Sequence, residues 1–508
     1  MQQTRTLEIT ELKKKAEQMR QDQTQASARE ELERQTTFMV ENRDLWCEGR
    51  RYFIMTYGCQ LNENDSERIA GLLEEMGMVA ADDVETADMV VLNTCSIREN
   101  AAGRFFGNLG IIKNLKRDRP DLITVACGCL MRQEPHVDRI RKSYYFVDLV
   151  FGPADIYRLP ELLNRRLCDK RPVYEVSNTK LIVEDLPITR KRKYRALLSI
   201  MYGCNNFCTF CIVPQARGRE RSRKPAAIFK ELQELSDASY SEVMLLGQNV
   251  NSYGKDLRKS EDYMSFPDLL RHAASDFELP LIRFMSSHPR DIDEDLLRVM
   301  AEYPNIERHL HLPLQSGSDR ILKTMNRHYT LEQYLKTAHK ARELIDDLAI
   351  TTDIIVGFPG ETEEDFQATL DVMREVGYEQ AFMFIYSPRP GTLAAKMDQL
   401  DPELVKERFM RMTELQNELS RRAMEAQVGR EMLMLCEGLS AQRDDRFAAR
   451  SSQNYLCNFS LRMSQLPERL RQLAPEQLGA VLEGRFARVK ITGAKSFSLE
   501  GEMVELIL

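Results

Sequence analysis

Ala196-Leu197-Leu198-Ser199-Ile200-Met201-Tyr202-Gly203-Cys204-Asn205-Asn206-Phe207-Cys208-Thr209-Phe210-Cys211 is the segment on which the fold of this chain turns. Its first half is an apolar run of strand length, and its second half sets three cysteines in a C-x-x-x-C-x-x-C loop. A strand that delivers ligands at its carboxyl end is the arrangement of barrel-type α/β folds, whose sites lie on that edge. An iron-sulfur cube usually takes four protein thiolates, so three leave one iron open to a substrate. Zinc is the alternative and needs a fourth ligand; no histidine lies near the loop to supply it.

Outward from this segment, apolar runs at 196–202, 242–250, 281–286, 309–315, 349–356 and 381–386 read as six strands. Helical spacing separates them, as in 225–239 and 361–377. Six β/α units are fewer than the eight of a closed barrel, so an open, partial barrel is expected, with a doubly wound sheet as the alternative. Upstream, 51–56, 89–92 and 122–126 read as strands and 64–76 and 97–117 as helices, which predicts a parallel sheet. Downstream of a helix over 403–425, the segments 431–436, 486–492 and 503–508 suggest a small β domain.

The expected division is a charged extension over 1–48, exposed helix or disorder; an amino-terminal sheet domain over 49–167; a linker over 168–189; the barrel over 190–425; and the β domain over 426–508. Overall the fold class is α/β.

Composition narrows the function. With 43% hydrophobic and 29% charged residues the chain is globular. No apolar run reaches the roughly 18 residues that span a bilayer, and residues 1–41 lack the apolar core of a secretion signal. A cytoplasmic protein without a membrane partner is expected. In a reducing cytosol, eleven cysteines point to metal or chemistry more than to disulfides. The net charge of −7 conceals a basic stretch, because Arg190 to Lys224 holds ten Lys or Arg and one acid.

Four more cysteines fall just after predicted strands of the amino-terminal sheet: Cys59, Cys95, and the pair Cys127 and Cys129. Each alone would be an ordinary buried thiol. If the strands are parallel neighbours, all three positions converge at one sheet edge, where open α/β sheets build their sites. Spacing alone does not choose between Cys127 and Cys129.

The Cys204–Cys211 loop resembles that of the radical S-adenosylmethionine (SAM) superfamily. Thr56-Tyr57-Gly58-Cys59-Gln60, Asn93-Thr94-Cys95-Ser96-Ile97-Arg98-Glu99, Leu246 to Tyr253 and Arg217 to Arg223 extend the likeness from about Arg50 to the end of the chain, to the methylthiotransferase family of that superfamily. Leu61, where Met is more usual, and Met131-Arg132, in place of Ala-Gln, depart from its pattern.

The resemblance implies two [4Fe-4S] clusters, one on Cys204, Cys208 and Cys211 with SAM on its open iron, the other on Cys59, Cys95 and Cys129. It places Gly247, Gln248, Gln315, Ser316, Asp353 and Gly357 around SAM and makes the last domain a TRAM RNA-binding barrel, although eleven Lys or Arg there face ten acids. His288, His309 and His311 are read as satisfied structural histidines. The activity implied is addition of a methylthio group to carbon 2 of N6-isopentenyladenosine at position 37 of tRNA. Threonylcarbamoyl-adenosine of tRNA and a ribosomal-protein aspartate are the alternative substrates. Implied partners are a tRNA anticodon loop, gripped by the basic stretch and the TRAM barrel, and an electron donor such as flavodoxin or ferredoxin. The enzyme is expected to be a monomer.

Overall fold

A computed structural model describes residues 27–96, 99–177, 179, 181–441, 443–461 and 466–507. Residues 1–26 of the expected extension, and Ile97 and Arg98 of the second cysteine motif, lie outside the described residues.

The amino-terminal sheet alternates as its apolar runs imply: β1 (Arg51–Tyr57), α2 (Gln60–Glu75), β2 (Val79–Ala80), β3 (Met89–Thr94), α3 (Glu99–Asp118), β4 (Ile123–Gly128), α4 (Glu134–Ser143), β5 (Leu149–Phe151), α5 (Leu159–Asp169) and β6 (Val173–Glu175), with α1 (27–42) before them. The six strands run in the order β2-β1-β3-β4-β5-β6, every neighbouring pair parallel. β3 and β4 are buried at every position, as strands covered on both faces must be.

Two expectations need correction. Residues 27–47 are not a free extension: Met39 and Cys47 join the core beneath the sheet, and Gln35 and Asn42 are buried. Asn42 Nδ2 donates to the Pro160 carbonyl at 2.7 Å. So few apolar residues made the segment look solvated, but they fall on one face, and buried amides complete the contact. The expected linker also begins too early, since β6 inside it is the sheet's last strand.

The second unit is the partial barrel. Its elements are β7 (Arg195–Ser199), β8 (Met201–Tyr202), α6 (Val213–Arg217), β9 (Arg221–Ser222), α7 (Pro225–Asp237), β10 (Glu242–Leu246), α8 (Phe266–Ser275), β11 (Leu281–Phe284), α9 (Glu294–Glu302), β12 (His309–His311), α10 (Asp319–Thr324), α11 (Leu331–Leu344), β13 (Ala349–Val356), α12 (Glu363–Val376), β14 (Gln380–Ile385) and α13 (Pro402–Glu425). All six expected barrel strands are present, several shorter than read. They form two parallel three-stranded ladders, β11-β10-β7 and β12-β13-β14, and a parallel bridge between Ile282 and Ile306 brings the two together. β7 and β14 are therefore the two free edges.

The amino-terminal unit closes on the β7 edge. Asn64 of α2 donates to the Leu197 carbonyl at 2.9 Å and accepts from Ser199 Oγ at 2.7 Å. Leu61 packs with Leu197, Met244 and Leu246.

The small β domain is a closed five-stranded barrel of β15 (Glu431–Ser440), β16 (Arg443–Ser451), β17 (Leu456–Ser460), β18 (Phe486–Ala494) and β19 (Leu499–Ile507), ordered β15-β16-β17-β19-β18, with α14 (Pro475–Leu482) between β17 and β18. Buried Arg283 clamps it to the partial barrel, pairing with Glu242 and Glu307 and donating to the Ser451 carbonyl.

Candidate functional site

The register of the first sheet decides where its cysteines meet. Tyr57 is the partner of Thr94, and Thr94 of Gly128, so β1, β3 and β4 end level with one another. Cys59, Cys95 and Cys129 follow within two residues and share one edge. Two glycines make the close approach possible: a Cβ on Gly58 would lie 2.6 Å from Cys95 Cβ, and one on Gly128, at φ +95°, 2.4 Å from Asn93 Oδ1. A hydrogen bond with Cys95 is the largest influence on the Cys59 thiol, and despite the upward push of burial it holds that thiol at about 6. Cys127, by contrast, points into the core beneath the sheet.

Arg217 at the end of α6 reaches this group from the other unit. Its Nε donates to Cys129 Sγ at 3.2 Å, and its Nη2 holds Asp65 at 2.6 Å. Cys211 lies two residues before the start of that short helix, so α6 connects the two cysteine groups.

The loop from Cys204 to Cys211 leaves β8 and is bent at Phe207, whose φ is +49°. It is clamped from several sides. Thr209 N and Oγ1 donate to the carbonyls of Met325 and Thr324, Asn326 Nδ2 donates to that of Phe207, and Arg290 Nη2 donates to Asn206 Oδ1 at 2.7 Å. Each sulfur faces a donor: Asn206 N lies 3.5 Å from Cys204 Sγ, Val213 N 3.5 Å from Cys211 Sγ, and Arg327 Nη1 3.3 Å from Cys208 Sγ. Burial pushes the Cys204 thiol up to about 11 and Cys211 up to about 12. Ionising such thiols requires a compensating cation, which a bound metal supplies. Buried sulfurs with aligned donors fit an iron-sulfur cluster. Among the described residues no three Cys, His, Asp or Glu are gathered tightly enough to share a single metal ion. A cube asks for less, because each thiolate takes its own iron.

The ends of β10 and β11 form the neighbouring wall. Gln248 has both amide atoms buried without a protein partner, and Asn249 Oδ1, both amide atoms of Asn251, Ser287 Oγ and His288 Nε2 are in the same condition. Buried polar atoms require partners, so this wall suits a polar ligand. Gly247 begins the turn, with Met201 Cγ 2.7 Å from where its Cβ would be. Across the barrel, Gln315 at φ +67° joins β13 through Ile355 N and the Asp353 carbonyl, Ser316 is fully buried, and Asp353 Oδ2 lies 3.5 Å from His311 Nε2.

Gly357 behaves otherwise. Its amide donates to Glu361 at 2.9 Å, and Val405 of α13 closes its Cβ position, so the small residue serves helix packing. Nor is His288 a satisfied structural histidine, since one ring nitrogen is buried without a partner. Burial, followed by Arg327, holds its pKa down to about 2, which keeps the ring neutral.

The basic stretch also differs from expectation. Arg190 pairs with Glu231, Arg195 with Glu242 and Glu437, Arg217 with Asp65, Arg223 with Glu184 and Glu231, and Lys224 with Asp262. Half of that charge is thus engaged in these ion pairs, two of which (Arg195–Glu437 and Arg217–Asp65) join units, and is not available to grip phosphate. Most of the carboxylate partners lie 38 or more residues away in sequence, which hides the pairing from composition. Arg219 instead lies over the exposed Phe207 ring at 4.0 Å.

Comparison with known proteins agrees with this geometry. The Radical SAM superfamily model matches residues 198–373, and the model described as Uncharacterized protein family UPF0004 matches 51–152. The solved structure of the radical SAM methyltransferase TsrM from Kitasatospora setae shares the fold at a TM-score of 0.50 and 15% identity, over 68% of this chain and 75% of that one. The fold and the cysteine loop are thus those of a radical SAM enzyme.

Curated relatives narrow the class. The tRNA-2-methylthio-N(6)-dimethylallyladenosine synthase of Acetivibrio thermocellus is 43% identical over 94% of this chain and 97% of its own length. That of Clostridium tetani is 45% identical over 89% and 96%. The chain belongs to this family, the MiaB tRNA methylthiotransferases.

Proposed function

We propose that this chain adds a methylthio group to carbon 2 of N6-isopentenyladenosine at position 37 of tRNA, using two [4Fe-4S] clusters and SAM. Cys204, Cys208 and Cys211 would hold the cluster that binds SAM, and Cys59, Cys95 and Cys129 the second. When bound, the first supplies the electron that cleaves SAM to a 5′-deoxyadenosyl radical, and the second carries the sulfur that becomes the methylthio group.

The chain's own residues do the positioning. Gln248, Asn251, Ser287 and His288 offer unpartnered polar atoms that would take the charged end of SAM, while Gln315, Ser316 and Asp353 would take its nucleoside end. Leu61, Leu197, Met244 and Leu246 form an apolar patch against which Cys59 packs, a wall that would exclude water on that side of the second cluster. An unactivated ring carbon offers no handle to acid or base, so exclusion of competing hydrogen donors matters more here than proton transfer.

One observation carries this reading: Arg217, six residues after Cys211, binds Cys129, which supports two cysteine groups facing one reaction space. Since both are completed within one chain, a monomer suffices. No described helix is long and apolar enough to cross a membrane, in keeping with a cytoplasmic enzyme served by a flavodoxin- or ferredoxin-type donor. The five-stranded barrel is read as the TRAM domain that holds the tRNA.

Mass spectrometry of tRNA nucleosides from cells with and without the gene tests the substrate. Methylthio-isopentenyladenosine should vanish in the deletion and isopentenyladenosine accumulate, and an unchanged profile would overturn the assignment. Cys59→Ala should halve the iron of the reconstituted protein and retain SAM cleavage; loss of both clusters would mean that the two-site partition is wrong.

A further inference from the structure

Each cysteine group has one buried arginine on one of its sulfurs, and the two arginines differ in a way that bears on charge. Arg217, on Cys129, is paired with the carboxylate of Asp65. Arg327, on Cys208, is 5% exposed, and its other contacts are the Tyr329 hydroxyl at 3.4 Å and the Pro313 carbonyl at 3.4 Å. No carboxylate among the described residues forms an ion pair with it. His288 beside it is neutral, and Tyr329 donates its hydroxyl proton to the Leu314 carbonyl. Asn326 and His328, on either side of Arg327, both lie in the left-handed region at φ +60° and +57°, an uncommon conformation that costs energy for residues other than glycine.

A buried cation without a counter-charge is strongly unfavourable. Among the described residues, the charge-bearing group that Arg327 contacts is the Cys208 sulfur. A cluster on three thiolates has net negative charge and gains more on reduction, so a fixed cation beside it favours the reduced form. Asp65 cancels that effect at the other group.

We propose that Arg327 is the built-in counter-charge of the Cys204, Cys208 and Cys211 cluster, a positioning residue that raises its reduction potential above the value the same cluster would have without that cation. This rests on the cluster assignment made above and assigns Arg327 a redox role beyond it.

The experiment uses the full-length chain carrying Cys59→Ala, Cys95→Ala and Cys129→Ala, reconstituted with iron and sulfide and titrated under EPR detection. Arg327→Gln should move the midpoint potential to a more negative value, whereas Arg327→Lys should stay near the parent. An unshifted potential in Arg327→Gln at full iron content, or an equal shift in Arg327→Lys, would overturn the proposal. If Arg327→Gln holds no iron, Arg327→Lys decides. Iron and potential near the parent support counter-charge, and loss of iron there too reduces Arg327 to packing. Absence of iron from the parent itself would instead strike at the cluster assignment.

Discussion

Arg217 Nε lies 3.2 Å from Cys129 Sγ while the same guanidinium holds Asp65 at 2.6 Å, so a residue of the barrel is buried among the cysteines of the amino-terminal sheet. Removing one member of a buried ion pair leaves the other uncompensated, at a cost of about 3–5 kcal/mol. Arg217→Met should therefore destabilise the protein by that order in denaturant unfolding and reduce the iron bound by Cys59, Cys95 and Cys129. Adding Asp65→Asn should recover most of the stability but not the iron. Equal damage in single and double variants would mean that the pair contributes packing and not charge.

Gly128 tests the strand-end geometry separately. Alanine there would be forced into φ +95° with its Cβ against Asn93 Oδ1 and the Thr94 carbonyl. Overpacking of this kind costs about 1–3 kcal/mol, and relief requires Cys129 to move. Gly128→Ala should therefore lose about half the iron while the EPR signal of the other cluster persists. Gly103→Ala, in the helix α3 with open space at its Cβ, should be neutral or stabilising by about 0.5–1 kcal/mol.

Glu231 gives a pH signature. Burial alone would raise its carboxyl, but Arg223, Arg68 and Arg190 overcome that and hold it at about 2, below the ordinary 4.5. A group depressed in the folded state contributes stability above its unfolded pKa and loses it as pH falls through the folded one. The contribution, on the order of 3 kcal/mol, should be complete above about pH 4.5 and fade towards pH 2. Glu231→Gln should lower stability at pH 7 and flatten the acid limb of a stability–pH curve over that interval. An acid limb of unchanged slope would remove Glu231 from the linkage.

The cysteines and strands were legible because local patterns encode them: period-two and continuous apolar runs for the strands, and the tight spacing of Cys204, Cys208 and Cys211 for the loop. Convergence of Cys59, Cys95 and Cys129 could be argued only through parallel pairing, since strand register is a tertiary property. Arg217 and Arg327 were not recognisable as cluster neighbours, because a basic residue, whether in a basic stretch like Arg217 or isolated like Arg327, looks solvated until its partner, Asp65 or Cys208, is seen from a distant segment. The burial of Met39, Asn42 and Cys47 was hidden for the same reason.

The free edge strand β14 carries the last expectation. Phe382 and Phe384, two residues apart and so on one face, are 41% and 48% exposed, an unusual state for large aromatics in a barrel strand. Phe382 packs against His311, whose imidazole faces Asp353, so this face looks into the barrel. Unstacked bases of a tRNA loop bind such rings, at about 1–3 kcal/mol per base. Phe384→Ala should therefore weaken binding of an isopentenyladenosine-containing anticodon stem-loop by roughly 5- to 140-fold in fluorescence anisotropy, with iron content unchanged. Tyr145→Ala removes a more exposed aromatic, 72% accessible, from the loop that enters β5 at its amino-terminal end, and should leave affinity as it was. Equal affinities for Phe384→Ala and the parent would exclude this face from the RNA path and move the base towards the β7 side, where Leu61 and Cys59 stand.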